Sequence, residues 1–403
     1  MPRLWFAFLL GWASQSVIAE EPVALREVAR VGQRAHYVMT TSAKGVSRPA
    51  NLADPAAEPA SSKEKTASAL SGPSFVIELD NQLEWSERVL EVAKDGRPAR
   101  VLRRMTHTSV DLRHQNRPAK WGLRLDVSTL VADRRDGQAR VFSLAGPLTR
   151  PELDLVQGVA DPILLGSLLP LKPARPGERW IVGAEAARAL GEFEVLAANA
   201  LEATLQSVND DQATLTLAGD VRGAARGAEG KVTVRGSLVF DRRALAISRL
   251  TIERVASIAA GPVDAALEMK STTKLSRSSE SNSPGELSDE AVQKLPAVTP
   301  PQADWLLYVS PEGRWMFQHD RDWVLFWEDR RQSVFKRVSH GELVAQCNFT
   351  QAPKAPRGRH QDVEQLVADI RRALGSRFLR VLTQGEVLGG APGSFHFKYA
   401  AQG

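Results

Sequence analysis

The chain has 403 residues, 43% of them hydrophobic and 25% charged, with a net charge of +5. That apolar content is enough for two ordinary cores and excludes extended disorder for most of the chain. The single cysteine, Cys347, excludes an internal disulfide, so stability must come from packing.

The chain opens with MPRLWFAFLLGWASQSVIA, in which Arg3 precedes an apolar run from Leu4 to Trp12 and small residues lead to Ala19. This pattern predicts a signal peptide over residues 1–19, cleaved after Ala19. Its apolar run is shorter than the roughly 20 residues a membrane-spanning helix needs, and polar Ser14, Gln15 and Ser16 follow it. The expected location is therefore secreted or periplasmic, in a bacterial envelope.

Residues 20–276 read as one antiparallel β-rich domain. A polar lead-in over residues 21–34 precedes a first strand over residues 32–39, and residues 43–73, rich in Ala, Ser, Pro and Lys, predict a disordered loop. From Phe75 the chain alternates apolar and polar through residues 76–79, 83–92 and 100–105, which gives each strand one buried and one wet face. Lys94 to Pro98 and Asp133 to Gly137 carry hairpin-turn chemistry.

The segment from Asp161 to Val182 interrupts this meander. Asp161 is placed as an N-cap, Pro162 suits the first helical position, and Ile163, Leu164, Leu165, Leu168 and Leu169 form an apolar run ended by Pro170 and Pro173. A short buried helix plugging the sheet is expected, with Pro176-Gly177 turning into a new strand and one or two helical turns over residues 184–190. Strands resume over residues 193–196, 201–205 and 213–217. Gly219, Gly223, Gly227 and Gly230 fit neither a dinucleotide fingerprint nor a P-loop and predict a wide hairpin tip. Residues 247–258 and 263–275 supply two long strands.

Residues 277–303, rich in Ser, Pro and Glu, predict a flexible linker. Beyond it, residues 304–403 hold short strands with Trp305, Trp315, Trp323 and Trp327, which are expected to fill a core. Val363, Leu366, Val367, Ile370 and Leu374 form one apolar stripe on a helix stopped by Gly375.

No catalytic constellation emerges. The seven histidines never show metal-ligand spacing, His319 to Asp322 reads as a polar turn, and Ser167 lies inside the plug, where its hydroxyl should bond back to the backbone. Cys347, in an apolar run, reads as a buried strand thiol. No catalytic, cofactor-binding or metal-binding residue is assigned, no cofactor is expected, and the chain is read as a non-enzyme. Between Arg97 and Arg140, ten arginines and Lys120 stand against four aspartates. A solvated strand face is the first reading of this excess, and weak contact with an anionic surface the second. Nucleic acid is excluded as a partner by export and because Trp121 is the only stacking aromatic there.

Two resemblances follow. The C-terminal part, with Tyr308 to Trp315, Gly341 to Gln346, the helix from Asp362 and the late Gly385 and Gly389, resembles the PsbP/DcrB-like α/β/α sandwich family. That resemblance implies a non-enzymatic docking module. The chain stops at Gly403, where such folds add a strand and a closing helix, so a truncated domain is expected. The N-terminal part is similar in layout to periplasmic lipoprotein carriers of the LolA/LppX kind, which implies a curved sheet around an apolar cavity. The expected fold class is α+β, mostly β. The expected function is a binding or docking module with an envelope protein as partner; the alternative is a carrier of a lipid or other apolar ligand in the concave face of the N-terminal sheet.

Overall fold

The structure, a computed structural model, describes residues 21–48, 74–115, 117–280, 285, 287–296, 299–313, 315–350, 362–386 and 395–401. The expected signal peptide and residues 49–73 of the expected loop lie outside them. Residues 43–48 do not belong to a loop, because the first strand runs on through them.

The alternating segments fold into a thirteen-stranded antiparallel sheet that stays open. In chain order the strands are β1 (Arg34–Arg48), β2 (Phe75–Val92), β3 (Pro98–His114), β4 (Arg117–Trp121), β5 (Thr129–Arg135), β6 (Gln138–Ser143), β7 (Arg179–Ile181), β8 (Val195–Asn199), β9 (Glu202–Val208), β10 (Gln212–Ala225), β11 (Ala228–Asp241), β12 (Ala246–Ile258) and β13 (Ala266–Ser279). Across the sheet they lie in the order β6-β5-β3-β2-β1-β13-β12-β11-β10-β9-β7, with β4 on β3 and β8 on β10. Most neighbours are hairpin partners, as the turn residues predict. Asp136 and Gly137, at φ 50° and 66°, make the two-residue turn between β5 and β6. One pairing is not local: Val38 of β1 lies opposite Glu84 of β2 on one side and Ser276 of β13 on the other. The two halves of the meander therefore join in the middle of the sheet.

The plug consists of α1 (Arg150–Val156), α2 (Pro162–Leu165), a 3-10 turn over Gly166–Leu168, and α3 (Ala184–Gly191). Thr149 and Glu152 form a capping box at α1. Asp161 caps α2 by accepting from the Ile163 N–H at 3.1 Å, with Pro162 in the first turn. Ile163, Leu164, Leu165 and Leu168 are buried in the same cluster as Leu83, Val101, Leu130, Phe240 and Ile252 of the sheet. The lead-in is irregular: Leu25 is buried, and Val23 bridges to Ala174.

The glycine series corrects the expected wide tip. The turn between β10 and β11 is a tight one at Arg226 and Gly227, with φ 47° and 79°. Gly223 and Gly230 sit within the strands, where an added Cβ would come 2.6 Å and 3.2 Å from the Phe193 ring. An added Cβ would also meet the Val195 carbonyl oxygen at Gly223 and the Ile258 side chain at Gly230, each at 2.3 Å, so both positions must stay small.

The described residues of the expected linker are held against the sheet. β13 continues to Ser279, and α4 (Asp289–Gln293) follows. Leu287 is buried against Leu102, Val131 and Phe142, on the face of β3, β5 and β6 turned away from the plug. The backbone carbonyl of Leu287 accepts from Arg34 and Arg88, and Thr299 donates to Asp133 at 2.9 Å. The segment is a strap, because its few apolar residues cover an apolar face that β3, β5 and β6 would otherwise expose.

Past the strap, β14 (Trp305–Val309) pairs with β15 (Met316–Asp320), and β16 (Trp323–Glu328), β17 (Gln332–Ser339) and β18 (Glu342–Thr350) form a three-stranded sheet. Leu306 enters the main core and bridges in parallel to Leu148. The expected tryptophan core is not found. Trp305 and Trp327 are exposed, and the small core is built on Tyr308, Phe317 and Phe335, whose rings lie 4.9 to 5.5 Å apart. Described residues up to Asn348 form one compact unit, so the division falls at Phe349 and not at the strap. The second unit holds α5 (Val363–Leu374), capped by Asp362, and the hairpin β19 (Phe378–Glu386) and β20 (Phe395–Ala401). Within residues 304–403 the described strands pair as β14–β15, β16–β17–β18 and β19–β20.

Candidate functional site

The residues that looked most chemical in the sequence prove to have structural partners. Ser167 donates to the Leu164 carbonyl at 3.1 Å and accepts from the Ala186 N–H at 2.8 Å, which ties the plug turn to α3. His319 lies next to the end of β15, packs on Phe317 and Phe335, and lies 2.8 Å from the Asp320 carbonyl through Nδ1. Burial lowers its pKa. The turn after it is shorter than expected, since only Arg321 and Asp322 lie outside strands. Cys347 is half-buried on β18, and burial pushes its thiol up. Among the described residues no three His, Cys, Asp or Glu side chains cluster as metal ligands.

The arginine excess is also absorbed. Arg103 is buried and spans two carboxylates: its Nε donates to Glu87 at 2.8 Å, and its two terminal nitrogens grip Asp161 at 2.6 and 2.9 Å. The guanidinium pKa is raised, the Asp161 and Glu87 charges outweighing desolvation. Arg97 and Arg134 share Asp95 and Glu185, Arg124 pairs with Glu152, and Arg140 pairs with Asp304. Much of the excess read as a solvated face thus meets acids that lie outside the window of residues 97–140.

The face of the sheet turned toward the plug is filled. Leu215, Val232, Val234 and Ile252 on it are fully buried. A large hollow opens on the opposite face, near the ends of β8, β10, β11, β12 and β13, with a volume of about 850 Å³. Strand alternation fixes its side. Val221 and Ile252 point to the core, so Ala224 on β10 and Ser257 on β12 point away from it. Elsewhere on that outer face long side chains such as Arg235, Arg249 and Glu253 stand up from the sheet. Here the outward positions are Ala197, Ala224, Ala259 and Ala266, which end at Cβ and leave the space empty. Val195 rises at one side and is 65% exposed. Arg48, Arg222, Glu229 and Glu268 form a charged rim, with Arg48 paired to Glu268 at 3.1 Å. The arrangement is an apolar trough with polar edges and no reactive group. Only scattered alanines hint at it in the sequence, because the hollow exists only once β8 and β13 are brought to the same end of the sheet.

No family model matches the chain, and no curated protein matches it. One solved structure to which it is similar is titled "Lipid-protein interactions in lipovitellin": the match covers 64% of this chain at 8% identity with a TM-score of 0.35. The chain spans 26% of that chain's length.

Proposed function

We propose that this protein is a non-enzymatic binding module that holds an apolar ligand, such as a lipid acyl chain, in the trough on the outer face of its large sheet. The observation that carries the proposal is the trough itself. Its volume of about 850 Å³ lies within the range of small-molecule sites, roughly 300 to 1,000 Å³, and its floor is alanine and glycine backbone where a strand face would ordinarily carry long side chains. The charged rim, which includes Arg222, suits a ligand with a polar head. The place differs from a carrier cavity on the plug side, where buried leucines and valines such as Leu215, Val232 and Val234 fill the described sheet face. Export to the envelope belongs to the same proposal and rests on residues 1–19.

Displacement of a fluorescent fatty acid from the purified full chain tests this reading. Ala224→Trp puts a large ring into the trough from a position facing away from the core. It should weaken fatty-acid binding about tenfold while leaving the melting temperature unchanged. No saturable binding by the native chain, or equal binding by the variant, would reject the trough as a ligand site.

A further inference from the structure

A second hollow, of about 370 Å³, lies over the plug between the β6 edge of the sheet and the β10–β11 turn. Its floor is apolar, formed by Leu153 of α1, Leu164 of α2 and Phe193. Its walls carry five arginines from separate elements: Arg140 on β6, Arg150 on α1, Arg188 on α3, Arg226 in the β10–β11 turn and Arg321 in the β15–β16 turn.

These guanidinium groups are unequally satisfied. Arg226 is held by both oxygens of Asp264, at 2.8 and 2.9 Å, and Asp304 serves Arg140 at 2.5 Å and Arg321 at 3.0 Å. Arg150 has less. It donates to the Arg321 backbone carbonyl at 2.5 Å and reaches a carboxylate, Asp154, only at 3.8 Å. Arg188 donates to the Asp136 carbonyl at 2.5 Å, and its Nε has no partner among the described residues. The positive charges also oppose one another. Burial lowers the Arg150 pKa, with the Arg226 charge acting the same way, and burial lowers that of Arg321, helped by Arg140 and Arg150. Asp154, the nearest counter-ion of Arg150, has a side chain that is 64% exposed, so water screens the pair. Of the other carboxylates of the walls, Asp161 binds Arg103, Glu192 binds Arg254 and Asp322 binds Arg337, while Glu194 accepts the Arg226 backbone N–H at 3.0 Å.

We infer that this cleft binds a small organic anion, with a carboxylate or phosphate group taken by Arg150 and Arg188 and the apolar remainder lying on Leu153, Leu164 and Phe193. A planar guanidinium matches either anion in two-point geometry. The room available, near the low end for ligand pockets, admits one small molecule and no polymer. This site stands apart from the trough, and neither depends on the other.

Isothermal titration calorimetry of the full chain with inorganic phosphate and with citrate, at low ionic strength, tests the inference and separates the two anion chemistries. Saturable binding of at least one anion is expected, with Arg150→Gln weakening it at least tenfold and Asp154→Asn tightening it, because that change removes a competing negative charge. Absence of saturable binding below about 10 mM for both anions would overturn the inference, as would an Arg150→Gln variant that binds like the native chain. Should Arg150→Gln fail to fold, Asp154→Asn decides alone: an affinity no better than native rejects the site.

Discussion

Asp161 shows how far one residue can be read from its neighbours. Its place before Pro162 and an apolar run marks a helix cap, and the cap is there. Its second task, gripping Arg103, was hidden because the two are brought together only by the fold of β3 over the plug. The same limit made the arginine window look solvated, since Glu87, Asp95 and Glu185 come from outside it. Glu27, in the irregular lead-in, is the residue whose titration the fold moves into the physiological range. Burial raises its pKa from 4.5 to about 7; Glu87 adds to the rise, while Arg277, Arg97 and Arg134 oppose it. The folded chain therefore keeps a proton that the unfolded chain has released. Stability should fall as pH rises from about 4.5 to about 7, and above that the full cost of the buried charge remains. Glu27→Gln should flatten this slope and raise the melting temperature at pH 8 relative to the native chain. Melting curves of both chains at pH 5 and pH 8 check it, and parallel curves at the two pH values would count against the assignment.

Among elements, the strands and the plug were legible because alternation and helix punctuation are local. Leu165 and Leu168 are 3% and 0% exposed, and Trp180 donates its indole N–H to the Leu168 carbonyl at 3.0 Å. Truncating either leucine to alanine should cost about 2 to 5 kcal/mol, read as a lower urea midpoint at an unchanged slope. A midpoint unmoved by the double variant would make the plug peripheral. Composition alone, without partners, is a poor guide to an element's place. Glycines ordinarily mark turns, but Gly223 and Gly230 are strand residues kept small by Phe193, Val195 and Ile258. Tryptophans ordinarily fill cores, but the short strands after the strap have too little sheet area to cover them, and the smaller rings of Tyr308, Phe317 and Phe335 take the interior.

For the molecule as a whole, the β1–β13 ladder is the seam on which the large sheet depends. It joins residues 35–48 to residues 266–279, so the sheet cannot be completed until most of the chain has been made. A fragment covering residues 20–262 keeps both hairpin halves but loses the strand that links β1 to β12. It should lack a cooperative thermal transition by circular dichroism, whereas a chain covering residues 20–348 should show one; a cooperative melt of the shorter piece would mean the halves fold independently. Neither the trough nor the arginine cleft could be read from the sequence for this reason, since each is assembled across that non-local order. The strap has a consequence for how the chain can change over generations. On β3, β5 and β6 it covers Leu102, Val131 and Phe142, while the plug covers Val101, Leu130 and Val141. Neighbouring positions there are constrained alike, so drift has no free face to work on. On β10 to β13, where no described segment of the strap lies behind, the outward positions away from the trough are open to polar replacement and should vary most between descendants, while Ala197, Ala224, Ala259 and Ala266 should stay small.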